Sequence, residues 1–302
     1  MPAMHLVHQE FPGPTLADAA SEVERAFARP EIAATIRPGS RVALAVGSRG
    51  IAGIAAIVTA AVRSLRARGA SVVIVPAMGS HGGGTAAGQT DVLARYGITE
   101  ATVGAPVVSA METTVVGHLR RDAAGGYAPS LGGGDDIQVH LDRIAWESDL
   151  IVPVVRVKPH TGFRGPVESG ICKMLAIGLA KHEGCSRLHR EGYGNFAALI
   201  PAAAHIVLGT GRIACSLAVV ENAHDRTAQI EAVRGDATLV REPQLLALAR
   251  TLMPRLLMPA IDVLVVERIG KDISGVGMDA NVTGRSELGL LADFAGPRIA
   301  RI

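Results

Sequence analysis

Short apolar runs alternate with longer amphipathic stretches along most of the chain. Arg41–Gly47 (R-V-A-L-A-V-G), Ser71–Pro76 (S-V-V-I-V-P), Leu150–Val157 and Ile213–Glu221 are apolar through their interiors and rich in β-branched residues. That is the pattern of strands buried on both faces of a sheet. Ile51–Arg68 carries apolar residues at helical spacing between the first two runs, and strand, helix, strand at this separation predicts a right-handed βαβ unit. Residues 15–36 predict a leading amphipathic helix, with Thr15 as its N-cap and Pro38-Gly39 closing it. Helices are expected near 86–96, 169–180, 185–191, 195–208 and over Glu242–Met253. Short strands are expected over 107–119, a Gly-rich polar surface loop over 120–135, and a last strand over Ile261–Ile269. The alternation implies an α/β fold, Rossmann-like, with a mainly parallel sheet and helices on both faces. Pro254–Pro259 reads as a boundary, so that residues 1–257 form one domain and 258–302 the beginning of a second α/β domain, which reads as truncated in mid-pattern.

Composition narrows the partners. The 302 residues are 48% hydrophobic but only 3% aromatic, so Ala, Val, Ile, Leu and Gly must fill the core. A formal net charge of +2, with no basic stripe and no stacking aromatics, argues against nucleic acid. Cys172, Cys185 and Cys215 form no CxxC pair and suggest no disulfide framework. The first residues lack a basic-then-apolar secretory pattern, and the longest apolar run, near Phe196–Leu208, is too short to span a bilayer. The expectation is a soluble, cytoplasmic protein with no membrane partner.

The chemistry concentrates in Val157–His189 (V-K-P-H-T-G-F-R-G-P-V-E-S-G-I-C-K-M-L-A-I-G-L-A-K-H-E-G-C-S-R-L-H), which brings His160, Lys173 and His189 into one mostly apolar segment. Lys173 is the only charge between Glu168 and Lys181. Burying an unpaired ammonium costs several kcal/mol unless it deprotonates or bonds covalently, so the residue is either a covalent anchor or a lysine snorkelling along small neighbours. Ligands of parallel sheets bind outside the carboxyl ends of the strands. Arg49, His81 and His160 follow three of the expected strands, each in a glycine-rich loop. His81 lies in G-S-H-G-G-G-T, which could also cradle a phosphate before the next helix. Their plainer alternatives are a surface arginine, a turn histidine and a histidine capping a strand end. His189 is read as lying near a helix start after Gly184, with His182 its rival as a ligand. Cys172 reads as a small buried apolar residue. Lys271 opens a glycine-rich loop over Ile269–Arg285 in which Asp272, Asp279 and Arg285 suit turns and salt bridges equally well.

At these residues the sequence resembles the nickel-dependent lactate racemase family and its 2-hydroxy-acid racemase and epimerase homologues. The resemblance is carried by G-S-R-G at 47–50, V-P-A-M-G-S-H-G-G-G-T at 75–85, K-P-H-T-G-F-R-G-P-V-E-S-G-I-C-K-M-L-A-I-G at 158–178, and I-G-K-D-I-S-G-V-G-M-D-A-N-V-T-G-R at 269–285. It implies that residues 1–257 are a lactate-racemase-like catalytic domain of an isomerase. It also implies a nickel pincer nucleotide (pyridinium-3,5-bisthiocarboxylate mononucleotide nickel) tethered covalently to Lys173, with His189 as the protein's nickel ligand. His81 and His160 would be the acid/base pair, while Arg49 and Lys271 would hold a 2-hydroxy-acid substrate. Cofactor maturation enzymes and a homo-oligomer are the implied partners. The His160–Lys173 interval is slightly longer than in the lactate racemases, and the chain is shorter than that family's full length. Two other readings stand beside it. A nicotinamide-dependent dehydrogenase shares the architecture, though Val46–Gly50 does not supply G-x-G-x-x-G. A non-catalytic ligand- or cofactor-binding domain is the second.

Overall fold

The computed structural model describes residues 5–48, 50–270, 273–274, 277–285 and 296–302. Its centre is a five-stranded sheet. Among the described residues the strands, in chain order, are β1 (Arg41–Val46), β2 (Ser71–Pro76), β3 (Thr113–Arg121), β4 (Tyr127–Ser130), β5 (Ile137–Asp142), β6 (Leu150–Arg156), β7 (Cys215–Glu221), β8 (Thr227–Arg234), β9 (Ala260–Val263) and β10 (Arg298–Arg301). The central order is β2-β1-β6-β7-β8, parallel except for β8, which returns antiparallel beside β7. Every residue of β1, β2 and β6 except their first and the last of β6 is buried, as their unbroken apolar runs require.

Helices cover both faces. One face packs Val23 and Phe27 from the Ala19–Ala28 helix, and Ile57, Val58 and Leu65 from the Ile54–Arg66 helix, against Val42, Leu44 and Val152. The other packs the Ile171–His189 segment, the Phe196–Gly209 helix and the Thr238–Leu252 helix against Ala43, Ile151 and Val155. A smaller antiparallel sheet, β4-β3-β5, adds Leu119, Ile137, Val139 and Leu141 to that second core.

The α/β architecture agrees with expectation, and several elements differ. The leading helix starts at Ala19, because Asp18 rather than Thr15 accepts hydrogen bonds from the backbone N–H groups of Ala20 and Ser21. It stops at Ala28, where Pro30 opens a separate short turn. The glycine-rich stretch expected as one loop holds β4, which pairs antiparallel with one side of β3 while β5 pairs with the other. β8 escaped notice because its Thr-Ala-Gln-Ile-Glu-Ala-Val-Arg mixes charge into an edge strand. The last expected strand is confined to Ala260–Val263, which pairs in parallel with β10. Among the described residues no single helix is long and apolar enough to cross a membrane.

Candidate active site

β1 lies between β2 and β6, and the register sets Val46 level with Pro76 on one side and Val154 on the other. The three strands therefore end together. The chain leaves β1 toward the helices of one face and β6 toward those of the other, which opens a crevice at the carboxyl edge. A cleft of about 500 Å³ occupies that position. Ser48 after β1, His81 after β2, His160 after β6, and Lys173 and His189 from the following segment all line it.

His81 is exposed on its loop. Gly79 (φ +60°) lets the loop turn there, and a Cβ on Gly79 would sit 3.0 Å from Cys185 Sγ, so the loop passes tightly over the Lys181–His189 helix. Gln89 is fully buried; its Nε2 donates to the Gly79 carbonyl at 2.8 Å and to that of His81 at 3.4 Å. The His81 ring shares a hydrogen bond between Nδ1 and Ser48 Oγ.

His160 is buried, and Glu168 fixes its backbone. The Glu168 carboxylate is fully buried, accepts the His160 N–H at 2.6 Å, and is neutralised by Arg250 at 2.6 Å and Arg164 at 3.3 Å. The His160 carbonyl accepts from Arg164 at 2.8 Å and from Asn281 at 3.2 Å, so a residue beyond β9 braces this wall of the cleft. His160 Nδ1 accepts the Gly162 N–H at 2.9 Å, which puts the proton of the neutral ring on Nε2.

Lys173 ends a single turn, Ile171–Lys173, and a π-type turn, Met174–Gly178, follows it. The continuous helix expected over 169–180 is thus replaced by a widened one. The turn packs closely: a Cβ on Gly178 would lie 2.7 Å from the Ala77 carbonyl, and one on Gly47 2.9 Å from Met174 Cε. Such π-turns are enriched at functional sites. The turn's N-terminus is held from behind. Cap residue Gly170 has no side chain, and Glu242, fully buried on the Thr238–Leu252 helix, accepts the Cys172 N–H at 2.8 Å instead. Burial pushes the Glu242 carboxyl up to about 7, although its backbone hydrogen bonds pull the other way. The half-buried Lys173 ammonium lies 5.9 Å from the centre of the Phe163 ring.

His189 stands in the last turn of the Lys181–His189 helix, not at a helix start. Its Nδ1 is 2.7 Å from the Cys185 carbonyl, which assigns the proton to Nδ1 and leaves the lone pair on Nε2. The ring is edge-on to Tyr193 and Phe196, with centroids 5.7 and 5.1 Å away. Hydrogen bonding to Cys185 raises its pKa against the opposing effect of burial. Burial would raise the Cys185 thiol, but contacts with His189 and Ser80 outweigh it and lower its pKa.

Four of the six expected site residues thus share one cleft. Arg49 and Lys271 lie outside the described residues. His182 is exposed, packs against the Gly84 backbone and is not in the cleft lining, so it is no rival to His189. Cys172 is buried as expected, its thiol pKa raised by that burial. Among the described residues no group of three or more His, Cys, Asp or Glu could hold a metal ion.

Sequence reasoning passed over Arg156, Glu168, Lys181 and Glu242. Arg156 lines the cleft, pairs with Glu221 at 2.5 Å and Asp225 at 3.1 Å, and reaches the Gly50 carbonyl at 3.4 Å. Glu221 accepts the Ala52 N–H at 2.6 Å, so the pair braces the turn after β1 from two sides. Lys181 is fully buried with φ +53°, a conformation costing a non-glycine residue about 1–2 kcal/mol.

No family model matches the sequence, and no curated protein does. Among solved structures, the chain is similar to the lactate racemase apoprotein from Thermoanaerobacterium thermosaccharolyticum, with a TM-score of 0.53 and 15% identity. The match covers 87% of this chain and 63% of that one, so the chain spans less than two thirds of its neighbour's length. At that identity the likeness concerns the fold.

Proposed function

We propose that the protein is a racemase or epimerase of 2-hydroxy acids that uses a lysine-tethered nickel pincer nucleotide. The observation that supports this reading most is the convergence of His81, His160, Lys173 and His189 on one cleft at the carboxyl edge of a parallel sheet. A racemase-like fold in a solved neighbour is consistent with it. The donor set also fits the group. About 500 Å³ is within the range of small-ligand sites. Lys173 would tether the nucleotide, and His189, with its Nε2 lone pair, would be the protein's ligand to nickel, an ion imidazole suits. Since the described residues offer no group of three or more His, Cys, Asp or Glu, the remaining donors would come with the group, as in a pincer.

When bound, the group supplies a reversible hydride acceptor; such chemistry belongs to the cofactor, and orientation belongs to the protein. The two remaining histidines handle the hydroxyl proton. His160, with its Nε2–H at rest, is set to donate a hydrogen bond to the substrate oxygen and gives a proton only from its imidazolium form; His81, sharing Nδ1 with Ser48, is set to take one. Each contributes on the order of 10²–10⁴-fold. Glu168 and Asn281 keep the His160 backbone in place. Arg49 and Lys271 would orient the carboxylate and hydroxyl, and Arg156 and Glu221 hold the backbone at Gly50 and Ala52. We take residues 1–257 as the domain bearing the four cleft residues, with Asn281 bracing His160 from beyond it.

Intact mass of the protein co-produced with pincer maturation enzymes tests the reading. A nickel-bearing adduct localised to Lys173, absent from Lys173→Ala, together with interconversion of the enantiomers of a 2-hydroxy acid, is the expected result. An unmodified Lys173 under conditions that load a known lactate racemase would refute it.

A further inference from the structure

We infer that Lys181, Asp142 and Gln89 form a buried clamp that sets the separation of the cleft's two walls, making Lys181 a positioning residue of the site. Lys181 and Asp142 are both fully buried, with Lys181 Nζ 2.9 Å from Asp142 Oδ2. The same ammonium donates to the Pro76 carbonyl at 2.6 Å and to Gln89 Oε1 at 3.2 Å. Two hydrogen bonds and a carboxylate at ion-pair distance thus surround the ammonium, and a buried charge is tolerated when it is paired in this way.

The partners come from elements far apart in sequence, and each belongs to a wall. Pro76 is the last residue of β2, five residues before His81, and Gln89 holds the carbonyls of Gly79 and His81. Lys181 begins the helix that ends at His189, and follows the π-turn after Lys173. Asp142 ends β5; its N–H donates to the Leu179 carbonyl at 2.6 Å, and its Oδ1 accepts the Ala145 N–H at 2.8 Å. The node therefore joins the His81 loop to the Lys173–His189 segment and anchors both on the small sheet. Two features go beyond filling the core. A core position can be filled by an apolar side chain without burying an ion pair. The backbone of Lys181 is held at φ +53°, strain that persists only where the surroundings impose it. The inference deepens the reading of His81 and His189 as one site, but its test requires no cofactor.

Cys185 Sγ lies 3.8 Å from Ser80 Oγ, across the two walls. Ser80→Cys therefore places a thiol opposite Cys185, and the rate of disulfide trapping under mild oxidation reports how steadily the walls face each other. In the Ser80→Cys background, Gln89→Leu, Lys181→Met and the apolar triple Lys181→Met/Asp142→Leu/Gln89→Leu are compared by trapping rate and thermal midpoint. The clamp predicts trapping slowed at least fivefold in each variant that folds, including the triple, whose midpoint recovers above that of Lys181→Met. Unchanged trapping in folded variants overturns it. Failure of the triple to fold also overturns it, by assigning the node to the core alone. Loss of the Lys173 adduct with slowed trapping intact would instead count against the proposed function only.

Discussion

His81 and His189 line the same cleft from supports of opposite character. His81 sits exposed in a glycine-rich loop, its ring sharing a hydrogen bond between Nδ1 and the Ser48 hydroxyl. His189 is half-buried at the end of a nine-residue helix, its Nδ1 on the Cys185 carbonyl and its ring edge-on to two aromatics. A group that carries protons must exchange them with water and change state at each turnover. A metal ligand must keep one tautomer and one direction. The contrast in support therefore matches the contrast in proposed duty. His160 falls between them, fixed in its backbone by Glu168 while its ring presents Nε2–H as a donor.

The comparison breaks most visibly by exchanging what each histidine loses. His81→Ala should lower racemisation by about 10²–10⁴-fold, the range for a lost acid/base, while leaving stability within about 0.5 kcal/mol, as for most exposed positions. His189→Ala should abolish nickel retention and also cost about 1–2 kcal/mol, since two aromatic contacts vanish with the ring. Denaturant melts and metal analysis of the two variants check both. Equal destabilisation by the two substitutions would show that the supports do not differ as described.

How much of this could be read from residues depends on what each residue buries. β1, β2, β6 and β7 were legible because strands covered on both faces need unbroken apolar runs. β4 and β8 were not, because a strand at a sheet edge admits Pro and Ser, or Gln, Glu and Arg, without penalty. The same division holds in the site. His81, His160, Lys173 and His189 stand out as polar residues in apolar or glycine-rich surroundings. Lys181 gave the same signal in L-A-I-G-L-A-K-H and could have been found by it. Glu168, next to Ser and Gly, gave a weaker one. Glu242 gave none: in T-L-V-R-E-P-Q it looks like any exposed helical carboxylate, and only the fold shows that it is buried behind Gly170.

Glu242 makes the locked wall sensitive to pH. A carboxyl that titrates higher in the fold than in the unfolded chain holds its proton more tightly when folded. Its contribution to stability is then full below 4.5 and is lost as pH rises to about 7. The span corresponds to about 3 kcal/mol at most. Glu242→Gln keeps the shape of the protonated acid and cannot ionise. The difference in unfolding free energy between parent and variant should therefore grow in the variant's favour from pH 5 to pH 8. Parallel curves across that range would mean that Glu242 is not the buried acid described.

The smallest effect separates packing from charge at the same spot. A Cβ on Gly170 would lie 2.2 Å from Glu242 Oε1 and 3.3 Å from Val157 Cγ2. The carboxylate tip is ordinarily free to swing aside, but here Oε2 is bound to the Cys172 N–H and the side chain is enclosed. Gly170→Ala should therefore cost about 1–3 kcal/mol, the usual penalty of an overfilled core. In a Glu242→Ala background the added methyl meets a space instead of an oxygen, so the cost should fall by 1 kcal/mol or more (on the order of couplings between touching residues). The exposed wall supplies the control: a Cβ on Gly83 would meet nothing within 4 Å, and Gly83→Ala should show no coupling to Glu242. Additive effects at Gly170 and Glu242 would remove the carboxylate from behind the Lys173 turn.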